Sequence, residues 1–174
     1  PSQGPAAKEM NRVRYLLLVC CLMLPLGPPL RADEPDAALA KYDKPIDQAV
    51  DKALAFLANS QHSEGYWPSG LGKSTAVTSL CVMAFLAKGH SPSTGLYGQV
   101  INKGIDFVLK VQKPNGMLAE DASHGPMYDH TISTLMLSEV SGMVDAQRQK
   151  RLDKALAPAL RLILTAQQVT KKLS

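Results

Sequence analysis

The feature that most constrains the fold is a residue pattern that occurs twice, 51 positions apart. The first copy begins at Lys52 and ends at Trp67, and it reads K-A-x-x-F-L-x-x-x-Q-x-x-x-G-x-W. The second begins at Lys103 and keeps the lysine, phenylalanine, glutamine and glycine at the same spacing, but has Gly104, Val108 and Leu118 where the first has alanine, leucine and tryptophan. A period of this size is typical of stacked supersecondary units, each of which buries its apolar face against its neighbours. The sequence therefore predicts a repeat architecture.

The repeat holds at most positions and weakens in a third copy. In the third copy Pro158 replaces the lysine, Gln167 keeps the glutamine and Lys171 replaces the glycine. We divide the chain into repeats at residues 46–93, 94–144 and 145–174, the last being incomplete. The residues shared by the first two copies are Lys52, Phe56, Gln61 and Gly65, and Lys103, Phe107, Gln112 and Gly116.

Composition and spacing indicate that the units are helical hairpins. Apolar residues make up 45% of the chain but aromatic residues only 5%, so a core would consist mainly of Leu, Ala, Val and Met, which favours helices over strands. Helical periodicity and turn residues predict an all-α fold of about five helices. We expect them at about 46–60, 75–88, 96–111, 129–141 and 146–169.

Local signals mark the ends of these helices. Pro45 is suited to the first turn of a helix, where its missing N–H would be unpaired in any case. Ser74 and Asp145 are candidate N-caps for the second and fifth helices, and Ser93 or Thr94 for the third. Pro158 is expected to kink the fifth helix.

The N-terminal segment resembles a secretory signal. Arg12 and Arg14 precede an apolar run at residues 15–26, which is followed by Gly27, two prolines and the small residue Ala32. Twelve apolar residues are too few to span a bilayer. We predict a signal peptide at residues 10–32, cleaved near Ala32, and export to the periplasm or the extracellular space. The alternative is an uncleaved membrane anchor.

The remaining segments follow from this assignment. Residues 1–9 precede a plausible initiator, Met10, and are expected to be a non-structural remnant. Residues 33–45 form an acidic lead-in to a repeat domain at 46–174. Without residues 1–32 the chain keeps 15 basic and 14 acidic residues, so the net charge of +4 belongs mostly to the targeting segment. Nucleic-acid binding therefore has little support.

The duplicated pattern resembles the QW motif of the squalene–hopene and oxidosqualene cyclases, within the prenyltransferase and squalene oxidase repeat family. The resemblance covers about residues 46–170. It implies an α/α toroid of alternating inner and outer helices, of which this chain would supply an incomplete arc, as an N-terminal fragment. In such repeats the glutamine bonds to the backbone ends of a neighbouring helix and the tryptophan stacks over it. Gln61, Trp67 and Gln112 are thus expected to hold helices together.

The catalytic motifs of the family are not found in residues 1–174. The chain has no Asp-x-Asp-Asp acid, no complete Asp, Cys and His zinc set and no Cys-Gly-Glu-Gln motif; Cys81 is followed by Val82. The resemblance therefore favours a non-catalytic exported scaffold or binding module, with a hydrophobic ligand or protein partner in its concave face and no cofactor or metal. The alternative is a terpenoid cyclase or prenyltransferase-like enzyme whose catalytic residues lie mainly beyond residue 174.

One loop concentrates the remaining titratable groups that could do chemistry. Carboxylates and imidazoles can act as acid and base or bind a metal, but this spacing matches no strong ligand motif. Asp129 can also cap or favour a helix start, and His130 can be a polar residue lining the lumen. The weak catalytic candidates are Glu120, Asp121, His124, Asp129 and His130.

Overall fold

The computed structural model describes residues 37–70, 72–120, 123 and 125–169. The predicted signal segment at 10–32, the upstream residues 1–9, Asp121 and His124 lie outside the described residues. In the described part the chain forms five helices and one two-stranded antiparallel pair, so the all-α prediction is confirmed. The elements are α1 (Ala37–Ser60), β1 (Pro68–Ser69), β2 (Gly72–Lys73), α2 (Thr75–Ala87), α3 (Gly98–Lys110), α4 (Pro126–Glu139) and α5 (Ala146–Gln167).

Two predicted helix starts are wrong because a proline sits at a different position in its helix. Pro45 lies inside α1, which begins at Ala37, so this proline does not start the helix. α4 begins at Pro126 rather than near Asp129, because a proline at the first helical position has no N–H to leave unpaired. The chain divides into two compact units between Pro45 and Ile46, and residues 46–169 are described below by themselves.

The cap predictions are confirmed at two helices and wrong at a third. The Ser74 hydroxyl accepts a hydrogen bond from Val77 N–H, and Asp145 accepts from the first turn of α5. α3 begins after Tyr97 without a side-chain cap. Ser93 instead donates its hydroxyl to the Met143 carbonyl, which removes it from capping α3.

The helices form two layers. α2 packs against α4 in one layer, α3 packs against α5 in the other, and α2–α3 and α4–α5 contacts join the layers. Neighbours within a layer run parallel, since Ser74 and Ser79 of α2 bond in order to Asp129 and Ser133 of α4. In the α3–α5 layer the neighbours are also parallel, since Asp106 pairs with Arg148 and Gln112, later in the chain, bonds to Ala155, also later.

An apolar core lies between the layers and includes Leu54 from α1. Its fully buried members come from every helix of the two layers, so the hairpins share one core. None of the described helices has both the length and the apolar character needed to cross a membrane. The core includes Leu54, Val82, Phe85, Ile101, Ile105, Val108, Leu118, Met136, Leu137 and Leu152.

Candidate functional site

The first junction between repeats is organised by Gln61. Its side-chain amide Nε2 donates both hydrogens, one to the Gly65 carbonyl and one to the Val100 carbonyl, each at 2.9 Å. The first bond closes the turn that follows α1, and the second ties that turn to the start of α3. One side chain therefore fixes both the turn and the position of the next helix in its layer.

The second junction repeats this geometry. Gln112 Nε2 donates to the Gly116 carbonyl at 3.1 Å and to the Ala155 carbonyl of α5 at 2.8 Å. Val100 and Ala155 each lie three residues before the first motif position of the following copy, Lys103 and Pro158. The two glutamines thus make the same contact in successive repeats.

Each junction also contains a glycine that lies against the backbone of the next helix. Gly65 and Gly116 have φ values of +96° and +90°, in the region that favours glycine. A Cβ on Gly65 would lie 2.2 Å from the Lys103 carbonyl oxygen, and one on Gly116 would lie 2.7 Å from the Pro158 carbonyl oxygen. Close approach of the next helix therefore requires glycine at this position.

The final motif position differs between the two junctions. Trp67 is buried, and its indole Nε1 donates to the Leu57 carbonyl at 2.7 Å, which satisfies a carbonyl in the last turn of α1. The Trp67 backbone N–H donates to the Thr78 hydroxyl of α2 at 3.4 Å. Leu118 is equally buried but has no side-chain donor, so it cannot bond to a helix end.

His130 takes the place of Thr78 at the second junction. Its Nδ1 accepts a hydrogen bond from the Leu118 backbone N–H at 3.1 Å, as the Thr78 hydroxyl accepts from Trp67. Its Nε2 lies 3.1 Å from the Ala159 carbonyl oxygen, which can only accept. These partners assign the proton to Nε2 and make the ring neutral.

The surroundings of His130 do not favour acid–base chemistry. The side chain is fully buried, and both ring nitrogens are engaged by the backbone. Burial lowers the pKa of His130, although the hydrogen bond to the Ala159 carbonyl opposes this effect. A histidine with no exposed nitrogen cannot exchange a proton with a ligand in this conformation.

Asp129 and Glu120 are the other described candidates of the predicted catalytic loop, and neither side chain is hydrogen-bonded to His130 in the described part of the chain. Asp129 is mostly buried and accepts a hydrogen bond from the Ser74 hydroxyl at 3.3 Å, which joins the starts of α2 and α4. Glu120 is half-buried, and its backbone carbonyl accepts from Ser123 N–H. Within the described ranges no group of three or more His, Cys, Asp and Glu side chains is placed to hold a metal ion.

Cys81 is a free thiol on α2 and carries no sign of activation. Desolvation by the surrounding apolar side chains raises its pKa to about 11. Because the thiolate is the reactive form, a raised pKa makes this side chain a poor nucleophile near neutral pH.

The uncovered side of the α2–α4 layer carries large apolar side chains. Leu80 of α2 is 48% exposed, and Leu135 and Tyr128 of α4 are 52% and 66% exposed. Helical spacing places them on the side opposite the residues that face α3 and α5. We call Leu80, Tyr128 and Leu135 the exposed α2–α4 face; sequence reasoning placed a ligand on a concave face but did not identify these residues.

Sequence reasoning also missed Thr78 and the pairing of His130 with it. The sequence carries no clear signal, since the 51-residue period aligns Thr78 with Asp129, one position before His130. Comparison with protein-family models and with curated proteins finds no match for this chain.

Proposed function

We propose that residues 46–169 are an arc of an α/α toroid of the squalene-cyclase repeat type, and that this exported protein acts as a binding scaffold rather than as a catalyst. The repeated glutamine and glycine contacts support the repeat assignment. In this arrangement α1, α3 and α5 belong to the outer ring and α2 and α4 to the inner ring. The exposed α2–α4 face then lines the concave side.

The observation that carries the binding role is the exposure of Leu80, Tyr128 and Leu135 on neighbouring parallel helices. Large apolar side chains that remain exposed on adjacent helices are of the kind that marks an interaction site. The chemistry of the patch suits a hydrophobic ligand, because it combines two leucines and an aromatic ring without a charged side chain among them. The engagement of both nitrogens of His130 argues against catalysis at that residue.

Binding of a dansyl-labelled isoprenoid alcohol tests this proposal. We expect saturable binding to the 174-residue chain, weakened at least about tenfold by Leu80→Glu with Leu135→Glu, because each buried leucine contributes about 1.5–3 kcal/mol. Leu96→Glu is the matched control, since Leu96 is 83% exposed and lies outside the α2–α4 layer. Equal binding by all three proteins, or no saturable binding to the wild type, would contradict the proposal.

A further inference from the structure

A groove lies at the second junction, between α5 and the turn that follows α3. Its two adjoining parts have volumes of about 370 and 330 Å³, and Pro114 and Pro158 line both of them. Three basic side chains of α5 also line it: Arg151, Lys154 and Arg161. All three are exposed, so a ligand in the groove can reach each of them. We call this surface the basic groove.

The positive charge of the basic groove is only partly balanced within the chain. Arg151 pairs with Asp106 at 2.7 Å, but the same carboxylate also pairs with Arg148 at 2.9 Å. In the part of the chain that the structure describes, Lys154 and Arg161 make no ion pair, and no acidic side chain lines the groove. Even with Arg151 fully paired, the groove therefore keeps a net positive charge.

The first junction shows that packing between repeats does not require these charges. The carbonyls that the two motif glutamines bind, Val100 and Ala155, lie 55 positions apart and relate the two junctions. The same separation pairs the three basic residues with residues that are not basic: Leu96, Gln99 and Asp106. The first junction makes its glutamine and glycine contacts without basic residues at these positions. The cations of the second junction are therefore explained better by a ligand than by packing.

The spacing of the cations favours an extended ligand. Arg151 and Arg161 are ten positions apart, which corresponds to about 15 Å along a helix. Cations spread over this length suit several anionic groups along a chain better than one compact anion. An extended peptide covers the same length with about five residues.

The lining between the cations identifies the class of that chain. No aromatic side chain lines either part of the groove among the described residues, so it offers no surface on which nucleobases stack. An acidic peptide supplies carboxylates for the cations and apolar side chains for the remaining lining. The apolar lining residues are Leu109, Pro114, Pro158 and Leu162.

We propose that the basic groove binds an extended acidic segment of a partner protein. Carboxylates of the segment pair with Lys154 and Arg161, and its apolar side chains lie against Pro114 and Pro158. Because the cations are exposed, salt screens this attraction and weakens the complex. The basic groove is a different surface from the exposed α2–α4 face, and the inference does not rest on the proposed function.

Fluorescence anisotropy with a fluorescein-labelled peptide of four Glu-Leu pairs tests the proposal. We expect saturable binding to the 174-residue chain that weakens as salt rises from about 50 to 500 mM, and no binding of a matched peptide of Gln-Leu pairs. Lys154→Glu with Arg161→Glu should weaken binding at least about tenfold. Lys52→Glu with Lys103→Glu is the control, because it makes the same change in net charge at exposed positions outside the groove.

The substituted side chains are exposed, so folding should survive, and circular dichroism of each variant verifies this. The comparison of the two peptides and the salt dependence use the wild type alone and need no variant. Equal binding of both peptides, no saturable binding of either, or an equal loss in the control variant would overturn the proposal. Tighter binding of heparin or of anionic phospholipid vesicles than of the peptide, abolished by Lys154→Glu with Arg161→Glu, would also overturn it.

Discussion

The first and second junctions share their glutamine bonds and differ in two other side chains. Both contain a glutamine that donates to two carbonyls and a turn of the same hydrogen-bond pattern. In the first junction a large residue, Trp67, ends the motif and a small residue, Thr78, receives its N–H. In the second a smaller residue, Leu118, ends the motif and the larger His130 receives its N–H.

This difference teaches that the two junctions share the glutamine bonds and a side-chain acceptor for the backbone N–H of the final motif residue, whereas the buried ring comes from a different residue in each. The indole of Trp67 donates to the Leu57 carbonyl, and the imidazole of His130 donates to the Ala159 carbonyl. In each junction one ring donates to one helix carbonyl, but Leu57 lies on the helix before the turn and Ala159 on the helix after it. The ring comes from the turn in one case and from α4 in the other.

The largest difference between the junctions should appear when the final motif residue is truncated. Trp67→Ala removes a buried ring and the donor to the Leu57 carbonyl, and we expect a loss of about 3–5 kcal/mol of unfolding free energy. Leu118→Ala should cost less, about 2–3 kcal/mol, because His130 still fills its side of the junction. Urea denaturation measures both losses. A larger loss for Leu118→Ala than for Trp67→Ala would contradict the expected difference between the junctions.

Replacement of the junction glycines should have the next largest effect. Gly65→Ala and Gly116→Ala each place a side chain at a strained φ and against the backbone of the next helix. We expect each to lower the free energy of unfolding by about 2–4 kcal/mol, with the larger loss for Gly65→Ala. Gly142→Ala is the matched control, because Gly142 has φ +83° and nothing within 4 Å of an added Cβ. It should lose only about 1–2 kcal/mol in the same denaturation experiment. Equal losses for all three would show that the next helix does not press on the turn.

Removal of either motif glutamine amide should destabilise the chain less than the glycine substitutions do, and by a similar amount in the two junctions. Gln61→Leu and Gln112→Leu each leave two carbonyls without this donor, and we expect a loss of about 1–3 kcal/mol in each case. Gln147→Leu, at an exposed position on α5, should be close to neutral under the same thermal or urea denaturation. An unchanged free energy of unfolding in Gln61→Leu would show that this glutamine does not stabilise the junction.

The smallest expected difference between the junctions is in the pH dependence of stability, because only the second junction contains a buried histidine. Because burial lowers the pKa of His130 in the folded state, the unfolded chain binds a proton below about pH 6.5 more readily than the folded chain does. The free energy of unfolding should therefore fall as the pH drops from about 6.5 toward the folded-state pKa of His130. His130→Thr should flatten this dependence, whereas His62→Gln, at an exposed position, should keep it. A wild-type slope in His130→Thr would contradict the assignment.

The sequence predicted those features that depend on neighbouring residues. Helix existence, the Ser74 and Asp145 caps and the repeat period follow from spacing and capping rules over a few positions. The start of α1 could not be predicted from Pro45, because the residues before it continue the helix through the proline. Such starts depend on whether the flanking sequence sustains a helix, which a single proline does not decide.

The candidate site was harder to predict because its partners are distant in the chain. A histidine beside an aspartate suggested acid–base or metal chemistry, yet the partners of His130 are backbone groups 12 and 29 residues away. Phe56 and Phe107 match in the motif but differ in exposure because, among the described residues, Phe107 is covered by Tyr66 of the preceding repeat. Periodicity reveals the unit, whereas burial depends on the position of that unit in the array.

A double-mutant cycle at the second junction tests the central claim most directly, that Leu118 with His130 replaces a tryptophan with a threonine. Leu118→Trp alone overfills the junction, and His130→Thr alone leaves a cavity and removes the imidazole contact with the Ala159 carbonyl. Each single substitution should therefore destabilise the chain. The double variant should be more stable than the sum of the two effects by about 0.5–3 kcal/mol in urea denaturation. Strictly additive losses would contradict the claim that the two junctions are one unit with exchanged side chains.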